Sequence, residues 1–407
     1  MLFQLAWRNL WRNPKRTLIL LTAVVIGVWA MIVIGALMRG ISSQMLRHGI
    51  ATLTGHVQIH APGYRADPVV ENSIPAAAPV TARLAALLPA GTRWAPRIRV
   101  AAIAGNARHS AGVTLVGIDP AAEKGVSFIG AAVTEGAYLP SEGEGGLLIG
   151  RALADRFGTG LGKKLVLMSQ DSERGIASRA FRITGLFRAE LEATEKEFVF
   201  VTLPEAAAML KLGAGISEIS LLLPSDGLAS EAADRLRQSL AGEALEISTW
   251  QELLPMIRGV LELYDGVIFV WFLVIFIAMG FGIVNTFLMA VLERLREFGL
   301  LKALGMRPSG IVGQVLAESL LLLLTGQALG SAFGFLSYRG LARNGIDLSA
   351  VAEGLEYVGM TRIIFPVLLP RDVATANLVV FLLGLLVSLY PAVKAGRVTP
   401  VQALSSV

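Results

Sequence analysis

Apolar residues gather into four long runs. Thr17–Met38 and Gly266–Leu292 carry no charge, Ile311–Leu336 carries only Glu318, and a fourth run spans about Ala374–Val393. A helix needs about 20 mostly apolar residues to cross the hydrocarbon core of a bilayer. The runs therefore predict four transmembrane helices, at 17–38, 266–292, 311–336 and 374–393. Residues 39–265 contain no such run and should fold in water. Their pattern is short and mixed. His56–His60 alternates like a half-buried strand, and Gly146–Gly150 reads as a buried strand with Arg151–Phe157 helical after it. Lys164–Met168, Phe181–Gly185 and Phe198–Thr202 are further strands, and Pro204 marks a helix start before Glu205–Leu210. Glu218–Leu223, a helix over Ser230–Leu240 and a strand over Leu245–Ser248 form a β-α-β unit. In that helix Leu228, Ala232, Leu236 and Leu240 repeat every four residues. The predicted class is an α-helical membrane protein with four transmembrane helices and a large α+β domain between the first two. A change of subdomain is expected near 213–217.

The ends of the runs are equally patterned. Leu2, Leu5, Trp7, Leu10 and Trp11 alternate with Arg8, Asn9 and Arg12. This predicts an amphipathic helix within residues 1–16, lying in the membrane interface with its tryptophans at headgroup level. Pro14 would separate it from the first span. That span lacks an A-x-A-like cleavage site, so it reads as an uncleaved anchor rather than a signal peptide. Thr249-Trp-Gln-Glu252 matches a capping box. One helix is expected from near Trp250 to about Glu297, with Pro255 as a possible kink; the alternative is two helices with a break near Gly259 or Gly266. At 1.5 Å per residue the single helix would reach about 70 Å. After it, Leu292–Met306 is amphipathic and dense in charge, with Phe298, Leu300, Leu301 and Leu304 as its apolar part. Gly305 would end its helix and Pro308 would start the next.

Charge orients the chain. Arg8, Arg12, Lys15 and Arg16 precede the first run without an acid, and Lys394 and Arg397 follow the fourth. Arg294, Arg296, Lys302 and Arg307 outnumber Glu293 and Glu297 between the second and third. The positive-inside rule puts these segments in the cytoplasm, namely residues 1–16, 293–310 and 394–407. The 39–265 domain and the 337–373 loop are then outside. The net charge of +5 follows from this asymmetry. The basic clusters abut membrane runs rather than forming a stripe with aromatic platforms, which argues against nucleic-acid binding. Composition agrees, with 54% hydrophobic and only 16% charged residues, against about 25% charged in a typical soluble domain. The absence of cysteine excludes disulfides, thiolate zinc sites and iron–sulfur clusters.

Candidate chemistry is sparse. Gly158-Thr-Gly-Leu-Gly-Lys-Lys164 superficially suggests a phosphate loop. The Walker spacing would need Gly where Phe157 stands and Ser or Thr where Lys164 stands, so it reads as a turn. There is no G-x-S-x-G elbow. His56 and His60 share a strand face but sit about 13 Å apart, too far for one metal, and read as surface residues. No metal site or catalytic group is expected. Within the spans, Gly326, Gly330 and Gly334 repeat every four residues, and Gly384, Ser388 and Ala392 do the same. Such stripes let helices approach closely, inside a bundle or in a dimer. Glu318 is an intramembrane acid shallow enough to pair with a nearby Lys or Arg. Asn285 is expected to make an interhelical hydrogen bond.

These features resemble the membrane subunit of an ABC transporter of the MacB/LolC–LolE/FtsX superfamily. The resemblance rests on Ala6-Trp-Arg-Asn-Leu-Trp-Arg-Asn-Pro-Lys-Arg-Thr17 leading into the first span, and on one large domain between spans one and two. It rests also on Glu293–Met306 followed by Ala317-Glu-Ser319, and on the closing Leu389–Leu404 segment with its P-A-x-x-A-x-x-x-P-x-x-A-L pattern. It implies a bacterial inner-membrane permease, not itself an enzyme, working as a dimer with an identical or homologous permease. The relatives pair with two cytoplasmic ATPase subunits, which bind the ATP and Mg; this chain has no Walker A motif and holds no cofactor. Glu293, Arg294, Arg296, Glu297, Phe298, Leu301, Lys302, Leu304 and Gly305 would form a coupling helix docked on the ATPase. Leu324-Thr-Gly-Gln-Ala328 is similar to the ATPase signature loop but sits inside a span. The layout is closest to LolC–LolE-type permeases, which lift lipoproteins from the outer leaflet to a periplasmic carrier. MacB-like efflux with an adaptor and outer-membrane channel, or FtsX-like signalling to a periplasmic hydrolase, are the alternatives.

Overall fold

Proline and glycine set the helix boundaries of the membrane-type helices. The structure, a computed structural model, describes residues 2–140, 146–347 and 363–397. Two units emerge. One takes the described residues of Met1–Ser43, Leu261–Ala350 and Arg362–Val407, and the other is built from Gln44–Val260. The chain begins with α1 (Leu2–Leu10) and α2 (Pro14–Gly49). Helix α2 runs eleven residues past the apolar run because Met45 and Ile50 continue its buried stripe. It ends in a π-helical turn, Ile50–Thr54, where Leu53 takes a φ of +65°. That conformation is costly for a branched residue. It is held by the Leu53 carbonyl, which accepts from Gln58 Nε2 at 3.2 Å and from Arg97 Nη1.

The interspan domain follows: β1 (Val57–His60), α3 (Ala78–Leu87), β2 (Arg93–Gly105), β3 (Ser110–Ile118), β4 (Val133–Gly136) and β5 (Leu147–Gly150). Then come β6 (Lys164–Gln170), β7 (Ile176–Phe187), β8 (Phe198–Thr202), α4 (Leu203–Leu210), β9 (Glu218–Leu222), α5 (Ala229–Ser239) and β10 (Glu246–Thr249). One sheet runs β10-β1-β9-β2-β3-β8-β5-β7-β4, with β6 pairing β2 and β7. The continuous apolar runs of β5 and β8 are explained by burial on both faces. Leu147, Ile149, Val199 and Val201 enter one core, while Leu148, Phe198 and Phe200 enter another with Phe187. Strands β9 and β10 lie on either side of β1, both antiparallel to it, so the expected β-α-β unit has a third strand between its two. Residues 213–217 connect α4 to β9, and β2 carries the sheet across this point, pairing with both β9 and β3.

Two expectations change. His56 and His60 are buried, not superficial. The His60 ring packs 5.8 Å from that of Tyr64 in the chain that follows β1, and His56 Nδ1 accepts from the Leu223 amide at 3.0 Å. The glycine-rich segment at 158–162 is a turn, with φ of +56° at Gly158 and +78° at Gly162.

The second half holds α6 (Pro255–Glu293), α7 (Leu295–Ala303) and α8 (Pro308–Asn344), then β11 (Ile346–Asp347), β12 (Ile363–Ile364) and α9 (Pro370–Arg397). Helices α2, α6, α8 and α9 are each long and apolar enough to cross a membrane. The capping box at Thr249 forms, with its amide donating to Glu252 Oε2 at 2.8 Å, but it starts a single turn only. Leu254 breaks that turn and Pro255 begins α6, so the proline opens the long helix instead of kinking it. At 39 residues, α6 measures about 58 Å against a hydrocarbon core of about 30 Å. Helix α8 overruns the expected end at Leu336 and stops at Gly345, whose φ is +69°. The expected 337–373 loop is therefore mostly helix end and short strand among its described residues; 348–362 lie outside them, as does the closing 398–407 segment.

Arg97 and Glu123 of the interspan domain are both fully enclosed, with no exposed surface. Arg97 grips Glu123 with two bonds, 2.9 and 2.7 Å, and reaches Glu218 at 3.2 Å. Burial alone would favour losing its proton, but Glu123 and Glu218 hold it charged. Arg97→Ala would strand two buried carboxylates and release the Leu53 turn. We expect a loss of about 3–5 kcal/mol, seen as a lowered thermal midpoint of the detergent-solubilised chain.

Candidate functional site: an ion-paired clasp at the α6–α7 corner

Helix α6 stops at Glu293 because Arg294 leaves helical geometry, at φ −105° and ψ 15°. The turn aims the Arg294 guanidinium back into the bundle. Its Nη1 donates to both oxygens of Glu318 on α8, at 2.9 and 3.1 Å. Its Nε donates to Glu297 Oε2 at 3.0 Å, and its guanidinium lies over the Phe298 ring at 5.2 Å. Glu318, only 6% exposed, also accepts from Asn9 Nδ2 of α1 at 2.8 Å. Two further pairs tie the N-terminal region to this corner: Arg12 to Glu297, and Arg16 to Glu293 at 2.7 Å. Burial pushes the Glu297 carboxyl up, but the guanidiniums of Arg294 and Arg12 hold it below the ordinary carboxylate range. Four helices, α1, α6, α7 and α8, are thus joined through one guanidinium and its carboxylates.

Helix α7 turns two faces in different directions. Phe298 is buried against Val291, Ile311, Val315, Ala392 and Ala395, with Leu301 partly covered beside it. Leu300 and Leu304 point outward, at 59% and 78% exposed. The single apolar face expected for this segment is therefore split, since 298 to 300 and 298 to 304 are turns of about 200° and 240° at 100° per residue. Lys302 donates to the Gly396 carbonyl of α9 at 2.6 Å. Gly305 ends the helix with a φ of +94°, and Arg296 is exposed.

The small-residue stripes sit inside this bundle. A Cβ on Gly326 would lie 2.6 Å from Val24, one on Gly330 2.8 Å from Val28, and one on Gly334 2.9 Å from Ile32. Helices α2 and α8 touch along this line. Gly384 meets Leu323 of α8 in the same manner, at 2.8 Å, and the buried Ser388 hydroxyl donates back to the Gly384 carbonyl at 2.7 Å. Asn285 differs from expectation. It lies on the exposed side of α6, between the buried Ile283 and Phe287, and no hydrogen bond of its side chain is found among the described residues. The face of α6 that meets the bundle is the one carrying Met279, Ile283 and Phe287.

Sequence reasoning missed Asn9, Arg12 and Arg16 as partners of the corner. It also missed a second polar junction at the other end of the bundle. There Arg39 of α2 reaches Asp372 of α9 at 3.2 and 3.3 Å and Asp265 of α6 at 3.5 Å. The available signal was a charge just beyond the outer end of three of the apolar runs, Arg39, Asp265 and Asp372.

A double-mutant cycle on Arg294→Ala and Glu318→Ala measures the clasp. Each single change should cost about 3–5 kcal/mol by leaving the other charge buried, and the double variant should cost clearly less than their sum, read from thermal unfolding in detergent.

Residues 17–239 match the MacB-like periplasmic core domain, and residues 268–400 match the FtsX-like permease C-terminal domain. The lipoprotein-releasing system transmembrane protein LolC of Neisseria meningitidis serogroup B is 22% identical, covering 95% of this chain and 93% of that protein. The macrolide export ATP-binding/permease protein MacB of Bdellovibrio bacteriovorus is 34% identical over 31% of this chain and 17% of that protein. The crystal structure of the periplasmic region of MacB from Actinobacillus actinomycetemcomitans is 14% identical, with a TM-score of 0.35, over 52% of this chain and 94% of that one. With more than half of its length in the first of these domains and the second domain behind it, the chain belongs to the MacB-like periplasmic core domain family, as a multi-pass permease of the MacB/LolC–LolE/FtsX superfamily.

Proposed function

We propose that this chain is the membrane subunit of an ABC transporter that lifts a lipoprotein, or another lipophilic substrate, from the outer leaflet of a bacterial inner membrane. The near full-length similarity to LolC, the lipoprotein-releasing system protein, supports this reading. The observation that carries the mechanism is the build of α7. Its inner face and the Arg294 clasp fasten it to the bundle, while Leu300 and Leu304 stand out in solvent. Exposed leucines on a short fastened helix fit an apolar groove in a partner. That partner is a separate cytoplasmic ATPase, which binds ATP and Mg and moves when it closes on nucleotide. Displacement of α7 then travels through Arg294 into Glu318 of α8 and into α6, an unbroken helix of 39 residues. The chain performs no chemistry itself. It acts as a lever for a motor on another chain, together with a second permease copy or a homologue and, outside, a lipoprotein carrier.

The second reading is efflux of peptides or small molecules with an adaptor. It draws on the higher identity to MacB, confined to under a third of the chain. Purification in native lipid, with identification of every bound chain and lipid, separates the two. Bound lipoprotein supports the first reading, and a bound membrane-fusion adaptor the second.

Placing both termini in the cytoplasm follows from the basic flanks of the spans. A reporter fused at residue 150 should be active outside the inner membrane, and one after residue 407 inside; the reverse pattern inverts the topology. Within the complex, Leu300→Glu combined with Leu304→Glu should weaken ATPase association by about tenfold or more, a loss of about 1.4 kcal/mol. Thermal stability should stay unchanged because neither side chain is in the core. Undiminished co-purification and ATP turnover would remove α7 as the docking element.

A further inference from the structure

Residues 1–16 hold four cations, Arg8, Arg12, Lys15 and Arg16, and no acid. Two are already engaged, Arg12 by Glu297 and Arg16 by Glu293. Arg8 and Lys15 are exposed, and neither has an ion-pair partner among the described residues. Arg8 stands beside two large rings. Trp7 and Trp11 are each 46% exposed and meet edge to face, with centroids 6.0 Å apart. On a helix, positions 7 and 11 form one row and positions 8 and 12 the row next to it. With Asn9, these four side chains line an open recess of about 730 Å³.

The recess is held from behind. Ala6 is fully buried, Asn9 donates to Glu318 of α8, and the Thr17 hydroxyl donates to the Leu10 carbonyl across the bend between α1 and α2. Rolling α1 to cover its tryptophans would part Asn9 from Glu318 and Arg12 from Glu297. Beyond the bend, Lys15 opens an exposed row on α2 that continues through Ile19, Thr22 and Ile26 at helical spacing. Ile19 is 69% and Ile26 53% exposed, on a helix long and apolar enough to cross a membrane. Unpaired cations thus sit beside an aromatic pair and at the head of an apolar row.

We propose that the bend between α1 and α2 binds the headgroup of an anionic phospholipid, its phosphate held by Arg8 with Lys15 as the second cation. A guanidinium offers phosphate a planar fork of donors, and indole rings favour the level of the headgroups. A soluble anion would neutralise Arg8 but leave Trp7, Trp11, Ile19 and Ile26 uncovered. A zwitterionic lipid would cover the apolar surface but bring its own cation among four basic side chains. An anionic lipid meets both requirements. The site also adjoins the clasp, because Asn9 and Arg12, which line the same recess, carry the bonds to Glu318 and Glu297. The proposal rests on α1 lying at the membrane surface, not on the transported substrate, and it is tested on the chain without an ATPase.

The full chain in a non-ionic detergent would be titrated with dioleoyl phosphatidylglycerol and separately with dioleoyl phosphatidylcholine, and bound lipid counted by native mass spectrometry. Phosphatidylglycerol should be retained about fivefold more tightly or better, the effect of one cation near an anionic headgroup. Arg8→Ala alters an exposed side chain and should keep the wild-type thermal midpoint in lipid-free detergent, yet lose most of that preference. Arg307→Ala removes another exposed cation and should leave the preference unchanged. Glycerol phosphate, the same anion without acyl chains, should not displace the lipid. Equal retention of the two lipids by the unmodified chain overturns the proposal. Equal losses from Arg8→Ala and Arg307→Ala overturn it in favour of diffuse attraction to basic flanks, and displacement by glycerol phosphate overturns it in favour of a soluble phosphate ligand.

Discussion

The membrane unit turns on one buried contact, the Arg294 guanidinium against Glu318. An acid within an apolar helix is expensive unless an opposite charge meets it. Arg294 meets it because α6 stops one residue earlier and turns. The corner between α6 and α7, the seating of Phe298 beneath Arg294, and the approach of Asn9 and Arg12 all follow from satisfying that pair. A buried ion pair adds little net stability compared with a well-packed apolar substitute. Once built, however, it penalises any rearrangement that parts the partners. Helix α7 therefore cannot swing freely about Gly305 or Arg294. Parting it from α8 or from the end of α6 would break these pairs, and the proposed transmission would rely on that.

The interspan domain applies the same device elsewhere. Arg97 draws Glu123 and Glu218 together and holds the Leu53 carbonyl, the one point where the exit from α2 takes a left-handed residue. The strained turn persists because a fully enclosed guanidinium over-determines it. The geometry with which the chain leaves α2 is consequently fixed by a charge cluster in the sheet rather than by the helix. Both units thus use a buried arginine to lock a helix end, Arg294 after α6 and Arg97 after α2.

How far these features could be read from sequence depended on the range of the interaction involved. The four apolar runs and the buried strands Leu147–Gly150 and Phe198–Thr202 were legible, because hydrophobic patterning is local. The hairpin of β2 and β3 was not. Arg93–Gly105 is rich in alanine, carries Pro96 and alternates weakly, so nothing in it distinguishes a thirteen-residue strand. The helix ends differ from the pattern in both directions: α2 and α8 continue past their apolar runs, since helix propensity and packing do not stop at the hydrocarbon edge, while α6 is shorter than the expected 250–297 because Pro255 opens it and Arg294 closes it. The glycine stripe of α8 was visible as a spacing, but its partner, Val24 to Ile32 on α2, was not. The burial of His56 and His60 is not legible, because alternation reveals a shared face without saying what covers it. Asn9 to Glu318 and Arg39 to Asp372 join residues more than three hundred positions apart, and no local rule reports such pairs.

The split of α7 shows what the fold adds to a motif. As a string, Phe298, Leu300, Leu301 and Leu304 form one apolar group. Wound into a helix whose azimuth is set by Arg294, they separate into two that anchor and two that protrude. Had Arg294 pointed elsewhere, a rotation of half a turn would have buried Leu300 and Leu304 and exposed Phe298. The ion pair therefore selects which leucines are exposed, as well as fastening the helix. Two exposed leucines side by side are a cost unless something covers them, and in the proposed assembly they would become contact surface. In the proposed transporter, the clasp that would make α7 a stiff transmitter would also keep those two side chains presented, so that docking and transmission would depend on a single buried charge.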